Sequence, residues 1–385
     1  MRICLYTATA LPKLGGQEAV VDALARHFTQ AGHRAVVLAP RPRLPLRPRD
    51  GELPYPVFRH PRFYSTKHFV SFYRRWLRDL YAREKFDVLH CHDVYPTGYL
   101  GALCKGQFPA PLLITSHGGD VKEGNIRISK PGMKPRYVRA LEAADALVSI
   151  GNFTTEGFHR LHPGASRIVP IPNGIDLGPY SAAAKRPANL DPTIRAGEYI
   201  LFLGRLKSRK GVDVLLEGLA LLGGDDHVQC VIAGAGEEEA TLRAHVDRLD
   251  LSAAVHFVGR RDGPEKIWLL QNALCIAMPS RGWEAFPLVL LEAYAAGKPV
   301  VGSRVPGIED LVEEGRTGLL VAEQSPEALA KALEVMLADL GRARRMGEEA
   351  RKFAQGYSWE SVAKRHIELY QTLLAEREVR SRTPG

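Results

Sequence analysis

The chain has 385 residues, 45% of them hydrophobic and 25% charged, with a formal net charge of +9. That length exceeds one ordinary core and points to two domains, and the composition is that of a folded globular protein. No apolar run approaches the ~18 residues of a membrane span, Met1-Arg2-Ile3-Cys4-Leu5-Tyr6 reads as a strand and not as a signal peptide, and five cysteines without a Cys-x-x-Cys pair argue for buried thiols in a reducing cytosol.

Strands and helices alternate throughout, the pattern of parallel sheets with crossover helices. In the first half, strands are predicted near 2–7, 34–39, 87–91, 112–116, 146–150 and 167–171, separated by helices near 16–31, 67–84, 96–105, 133–143 and 152–160. The first strand leads through Leu14-Gly15-Gly16-Gln17-Glu18 into a helix. Paired glycines let a backbone approach a ligand and a helix start offers free N–H groups, although Gly-Gly is also an ordinary loop. Residues 1–180 hold 25 basic and 14 acidic side chains, whereas 181–385 hold 27 and 29. Much of the excess lies in 41–85, with 12 basic and 4 acidic residues beside Phe58, Phe63, Tyr64, Phe69, Phe72, Tyr73, Trp76 and Tyr81. That segment is either a solvated amphipathic helix whose aromatics face the core or a surface for anionic lipid or a phosphorylated acceptor; no nucleic-acid partner is expected. His90 and His92, two apart on a strand beside Asp93, share one face, but no third ligand stands at a recognisable spacing and no metal is expected. Ser116-His117-Gly118-Gly119-Asp120 follows the next strand, a polar, glycine-rich strand end of the kind that carries function.

Pro170, Pro172 and the stretch 178–197 read as a linker, after which strands are predicted near 199–203, 228–233, 254–258, 274–278, 299–301 and 318–321. The chain closes with helices near 325–339, 341–355 and 358–377. Leu203-Gly204-Arg205-Leu206-Lys207-Ser208-Arg209-Lys210-Gly211 again runs from strand to helix. Arg205 and Lys210 are misplaced for a helix dipole unless an anion such as a diphosphate lies between them; the alternative is two solvated cations. Gly234-Ala235-Gly236 lacks the third glycine of a dinucleotide fingerprint, and Glu237, Glu238 and Glu239 would repel a pyrophosphate. Gly297-Lys298 ends a helix and is no phosphate loop. The most informative stretch is Pro279-Ser280-Arg281-Gly282-Trp283-Glu284-Ala285-Phe286-Pro287-Leu288-Val289-Leu290-Leu291-Glu292. It places Glu284 in a loop and Glu292 in the second helical turn, roughly 9 Å along the axis, so that two carboxylates flank a helix start suited to an anion.

Together these residues resemble the retaining glycosyltransferases of family 4, over nearly the whole chain and most strongly over 199–321. Glu284 to Glu292 is similar to that family's Glu-x7-Glu motif, Gly15-Gly16 to its glycine loop, His117 to its strand-end histidine, Pro172-Asn173-Gly174-Ile175-Asp176 to its pre-linker segment, and Arg205 with Lys210 to its phosphate-binding pair. The resemblance implies an α/β GT-B fold: two doubly wound Rossmann-like domains facing a cleft, an acceptor-binding one at 1–180 completed by a returning C-terminal helix at 358–385, and a donor-binding one at 181–357. It implies a metal-independent, cofactor-free retaining hexosyltransferase of the cytoplasm, peripheral at the membrane if 41–85 meets anionic lipid, that uses a nucleotide-sugar donor (UDP- in preference to GDP-linked) and a sugar, lipid-linked or small-molecule acceptor. Polysaccharide, glycolipid or small glycoside synthesis is the setting this implies. Residue by residue, Arg205, Lys210 and the N–H groups of Gly16, Leu288 and Val289, with Gly15 beside them, would hold the diphosphate. Glu292 would hold the ribose and Arg260 lie against the base. Glu284 would bind the transferred sugar, His117 sit near the anomeric carbon, and Glu18, Asp120 and Asn173 face the acceptor. Pro287 stands where the family commonly has glycine and is expected at the first helical position, where its φ is preset; Val305-Pro306-Gly307 replaces a frequent Gly-Gly pair. Rival readings are a nucleotide-sugar epimerase of related fold, a glycan phosphorylase, and a glycan-binding protein without catalysis.

Overall fold

The structure, a computed structural model, describes residues 1–13, 15–42, 50–62, 70–165, 167–223 and 228–382. Short apolar runs form parallel strands buried on both faces, and segments with apolar residues at helical spacing cover them. The chain divides into two compact units, Met1–Gly174 with Trp359–Gly385, and Ile175–Ser358. In the first, β1 (Arg2–Thr7), β2 (Arg34–Pro40), β3 (Val57–His60), β4 (Val88–His92), β5 (Leu112–Thr115), β6 (Ala146–Ser149) and β7 (Ile168–Pro170) form a sheet of order β3-β2-β1-β4-β5-β6-β7. In the second, β8 (Tyr199–Leu203), β9 (Gln229–Ala233), β10 (Val255–Phe257), β11 (Cys275–Met278), β12 (Val300–Ser303) and β13 (Gly318–Val321) take the order β10-β9-β8-β11-β12-β13. All pairings are parallel. The helices are α1 (Gly16–Gln30), α2 (Val70–Glu84), α3 (Tyr99–Cys104), α4 (Lys134–Ala143), α5 (Asn152–Leu161), α6 (Val212–Leu221), α7 (Glu239–Arg248), α8 (Gly263–Asn272), α9 (Leu288–Ala295), α10 (Pro326–Ala338), α11 (Leu340–Gln355) and α12 (Trp359–Arg382).

Each strand order reverses direction once, between β1 and β4 and between β8 and β11. Ligands of doubly wound sheets bind beyond the strand C-termini at such switch points. The loops after these four strands therefore occupy the positions where chemistry is expected, and they carry the glycine pair, Asp93, Arg205, Lys210 and Glu284. α12 belongs to the first unit because its apolar face has a partner there: the Phe28 ring of α1 lies 5.7 Å from Tyr370 and 6.2 Å from His366. Arg167 adds a two-pronged contact to Glu376 at 2.6 and 2.9 Å.

Several elements differ from the sequence reading. β3 was not expected; it is a four-residue edge strand, mostly half-buried, without a long apolar run to reveal it. The helix read at 96–105 is a π-turn, Val94–Gly98, followed by α3. Gly98 and Gly101 press it onto the sheet: an added Cβ would meet Ile114 at 2.7 Å and Leu112 at 2.8 Å. α2 buries Tyr73, Leu77 and Leu80 and turns Arg75, Arg78 and Arg83 outward. Leu14, Phe63, Tyr64, Phe69, Arg43, Arg47, Arg49 and Lys67 lie outside the described residues. The linker read at 178–197 is strapped to the second unit. Tyr180, Leu190 and Ile194 are buried in its core, and the Gln271 amide nitrogen donates to Ala182 O at 2.8 Å. The division thus falls at 174/175 and not 180/181, since Ile175 N donates to Tyr357 O at 2.8 Å and its side chain joins that core. All five cysteines are free and buried.

One glycine fixes the approach of the two switch-point loops in the second unit. Gly211, with φ +65°, lies so close to Pro279 that an added Cβ would stand 1.9 Å from its carbonyl oxygen. Gly211→Ala is expected to destabilise the second unit by roughly 2–5 kcal/mol, from left-handed strain plus backbone overlap. The measurement is the urea midpoint of that unit. Gly356→Ala, whose added methyl meets Phe353 O at an ordinary 3.6 Å, serves as the control that stays within ~0.5 kcal/mol.

Candidate functional site

At the β8–β11 switch point, β8 ends in Gly204-Arg205-Leu206, and this turn is held by backbone contacts to the loop after β9. Gly204 N donates to Ala233 O and Leu206 N to Ala235 O, both at 3.0 Å. An added Cβ on Gly234 would lie 1.9 Å from Gly204 O, and one on Gly236 2.1 Å from Leu206 O. Gly234 and Gly236 therefore serve loop-to-loop contact, which gives the incomplete glycine pattern a structural reason. Leu206 points into the core and Arg205 into solvent.

The short 3-10 turn Ser208–Lys210 then brings two cations onto Glu284, which is only 5% exposed. Its Oε1 accepts from Lys210 Nζ at 2.6 Å, Ser280 Oγ at 2.8 Å and Arg209 Nη1 at 3.2 Å. Arg209 also donates to Trp283 O at 2.9 Å and lies over the Trp283 ring at 5.0 Å. Arg281 staples the same loops through Asp213 at 2.6 Å and Ser208 O at 3.0 Å. Burial pushes the Glu284 carboxyl up, but the charges of Lys210 and Arg209 outweigh it and hold the group below the usual range. Lys210 is pulled down: its burial, with repulsion from Arg209 and Arg205, exceeds the attraction of Glu284. One carboxylate thus serves two cations while a third, Arg205, stands beside them without a salt bridge among the described residues.

α9 begins next to Glu284. Pro287 occupies the N-cap, with φ −77° and ψ 100°, and Leu288 is the first helical residue, a correction to the expected first-turn proline. Among the described residues no side chain caps this end, and no acidic residue lies in its first turn. The N–H groups of Leu288 and Val289 have no intrahelical acceptor, so the positive end of the helix is open. Glu292 is four residues on, about 6 Å along the axis, and its carboxylate binds Lys266 of α8 at 2.6 Å. Arg260 follows Gly259 after β10, is exposed, and pairs with Asp262 at 2.8 Å.

In the first unit, the helix start after Gly15-Gly16 is already occupied. Glu18, 3% exposed, folds back so that its Oε2 would lie 2.5 Å from a Cβ on Gly15, while Gly16 faces open space. Burial raises the Glu18 carboxyl, but hydrogen bonds from Lys13, Thr9 and its own backbone N–H bring it below the usual range. Gln17 crosses to the β4 loop, donating to Asp93 Oδ2 at 2.8 Å. Asp93, at φ 91°, is pushed up by burial and by Asp120 nearby. Asp120 in turn accepts from Ser116 Oγ and from Val94 N, both at 2.5 Å. His117 is half-buried at the end of β5, with Nε2 3.0 Å from His92 Nδ1, and burial draws it down to about 4. Asn173 is buried at the end of this unit, beside Gly174, which packs on Trp359.

The structure therefore brings Arg205, Lys210, Glu284, Leu288 and Val289 together at one switch point, with Glu292 one helical turn away, and Gly15, Gly16, Glu18, His117 and Asp120 around the other. Arg209, Ser280 and Arg281 were not singled out as site residues. Arg209 was visible only as one more basic residue in Ser208-Arg209-Lys210; its convergence with Lys210 needs the tight turn that Gly211 closes. Glu284→Gln is expected to destabilise the second unit by roughly 1–3 kcal/mol, because removing the buried carboxylate leaves two partly buried cations uncompensated. Added pyrophosphate should raise the variant's melting temperature more than that of the wild type; equal shifts would contradict this charge balance.

A family model described as Glycosyl transferases group 1 matches residues 193–353, and one described as Glycosyltransferase Family 4 matches residues 14–178. The chain is 30% identical over 325 residues to the D-inositol 3-phosphate glycosyltransferase of Corynebacterium glutamicum, covering 78% of this chain and 76% of that one. It is 31% identical over 307 residues to the phosphatidyl-myo-inositol mannosyltransferase of Mycobacterium leprae, with the same coverage of 78% and 76%. A D-inositol 3-phosphate glycosyltransferase of Corynebacterium urealyticum is 36% identical over 221 residues, 54% of this chain and 52% of that relative. Among solved structures, Anabaena Alr3699/HepE in complex with UDP-glucose superposes with a TM-score of 0.78 at 20% identity, covering 97% of this chain and 100% of that one. These similarities, with the two parallel sheets, identify the fold as GT-B.

Proposed function

The chain belongs to the glycosyltransferase family, and we propose that it moves a sugar from a nucleotide diphosphate sugar, UDP- in preference to GDP-linked, to a hydroxyl acceptor with retention at the anomeric carbon and without a metal. The observation that carries this reading is the charge imbalance at the β8–β11 switch point. Arg209 and Lys210 share one carboxylate, and Arg205 stands beside them without a salt bridge among the described residues, next to the uncapped start of α9. A diphosphate supplies the missing negative charge and accepts from Leu288 N and Val289 N.

In this reading the second unit holds the donor. Arg205 and Lys210 neutralise the diphosphate, Glu292 accepts from ribose hydroxyls, and Arg260 lies against the base. Glu284 binds the sugar hydroxyls with the oxygen that Lys210 and Arg209 leave free. As the bond from the anomeric carbon to the phosphate oxygen breaks, charge builds on the leaving diphosphate, and the fixed cations stabilise it without reorganisation. The acceptor oxygen bonds to the same face, and its proton passes to the leaving phosphate oxygen. No protein carboxylate need act as nucleophile, which suits a Glu284 held ionised by two cations and a His117 held neutral by burial. The first unit holds the acceptor near His117 and Asp120. Relatives named for inositol phosphate and phosphatidylinositol substrates favour an acceptor that carries a phosphate. The basic outer face of α2 is the candidate contact for such an acceptor or for anionic lipid.

Arg205→Ala and Lys210→Ala are each expected to weaken UDP or GDP binding by ~1.5–3 kcal/mol in calorimetric titration, the scale of a charged hydrogen bond. Unchanged affinity in both would remove the donor assignment. Glu284→Ala is expected to reduce turnover more than nucleotide affinity; normal transfer with lost affinity contradicts its role. Donor consumed without any acceptor, followed by NMR, would favour the epimerase alternative. Liposome sedimentation tests the lipid contact, which predicts preference for anionic vesicles and its loss in Arg75→Glu/Arg78→Glu.

A further inference from the structure

His117 does not stand alone. Its ring stacks on His92 at 5.2 Å and 18°, and His92 stacks on His90 at 4.6 Å and 28°. Both nitrogens of His90 are taken, Nδ1 by the Tyr370 hydroxyl and Nε2 by the Thr115 hydroxyl, each at 2.7 Å. His92 is fully buried, with Nδ1 3.0 Å from His117 Nε2, and its own Nε2 has no hydrogen-bond partner among the described residues. Burial holds His92 well below the usual histidine range and His117 at about 4, so both rings are neutral at neutral pH.

A neutral imidazole has one N–H and one bare nitrogen. The bond between the two rings therefore has two settings. If His117 donates from Nε2, His92 must carry its proton on Nε2, leaving a buried N–H without an acceptor. If His92 donates from Nδ1, its buried Nε2 keeps only a bare lone pair. Orphaned buried N–H groups are rarer than under-satisfied acceptors, which favours the second setting. His117 then accepts at Nε2 and carries its own proton on Nδ1, the ring nitrogen that makes no hydrogen bond among the described residues.

We propose that His92 is a positioning residue that locks His117 in the Nδ1–H tautomer, so that His117 meets its ligand as a hydrogen-bond donor and not as a base. The proposal rests on the reading of His117 as a ligand-facing residue of the transferase. It specifies the partner of His117 as an oxygen with a free lone pair, on a sugar hydroxyl or a phosphate. It also removes His117 as the group that takes the acceptor's proton, which must then leave by another route, such as the departing phosphate.

The test is a long-range 1H–15N spectrum of the 15N-histidine-labelled full chain at neutral pH, with His117 assigned by comparison with His117→Gln. The expected pattern is a protonated Nδ1 and a bare Nε2. His92→Phe keeps the ring and loses the donor; in it, His117 should shift toward the Nε2–H form, with kcat down about 10-fold or more and donor KM within about 2-fold. His92→Asn, whose amide can donate from nearly the same place, should restore the Nδ1–H signal and most of kcat, which also separates this role from a folding defect. His117 protonated on Nε2 in the wild type, or an unchanged His117 pattern in His92→Phe, overturns the proposal. A wild type that transfers no sugar while showing the expected spectrum would sink the transferase reading and leave the tautomer assignment intact.

Discussion

The second unit depends on one buried carboxylate. Glu284 lies where the loop after β11 meets the turn after β8, and its Oε1 receives Lys210, Arg209 and Ser280 together. Without that oxygen the two cations would repel each other in a partly desolvated space, and the turn that positions them would rest on its contacts to Arg281 and the Trp283 carbonyl. With it, they are held but not neutralised. Lys210 remains below its ordinary range because burial and its cationic neighbours exceed what one shared carboxylate returns. An electrostatic demand left over after folding is what a binding site for a polyanion consists of, and the open end of α9 adds to the same demand. Gly211, Gly234 and Gly236 serve this arrangement, since only the absence of a Cβ lets the three loops approach.

The first unit has the same kind of sheet and switch point with a different charge balance. There the helix start is filled by Glu18, and the loops after β4 and β5 contribute the half-buried Asp93 and the buried Asp120 around a neutral His117. Burial pushes both aspartates up and His117 down, so these loops present polar groups of reduced charge. The two sheets therefore differ in charge at their switch points: one gathers three cations around a single carboxylate, the other polar groups of reduced charge.

Much of this was legible in the chain. The strands are near-continuous apolar runs because parallel sheets are covered on both faces, so their positions and the doubly wound class followed from pattern alone. β3 escaped because an edge strand of four half-buried residues has no such run. The strap over 177–194 escaped because proline, glycine and alanine looked like a linker, whereas a few residues, Tyr180, Leu190 and Ile194, tie it to the core. At the site, motif spacing drew attention to Arg205, Lys210, Glu284 and Glu292. It gave no hint that Glu284 would take Lys210 and Arg209 as partners, nor that Glu292 would pair with Lys266 twenty-six positions away. Spacing reports which residues share a loop; which charges share an oxygen is decided by turns such as Ser208–Lys210 and by caps such as Pro287. The stacked histidines were visible as two residues on one strand face, but their third member comes from the loop after β5 and their support from Tyr370, 280 residues on from His90.

The central claim is that the β8–β11 site is short of negative charge by about one diphosphate. Its most direct test compares nucleoside diphosphate with the matching monophosphate, UDP against UMP and GDP against GMP, by calorimetry on the wild type and on Lys210→Met. The account predicts that for the accepted base the diphosphate binds about 10-fold tighter or more, a gap of about 1.4 kcal/mol, and that the gap shrinks sharply in the variant. Equal affinity for the two in the wild type, or a gap that survives the loss of Lys210, would contradict it.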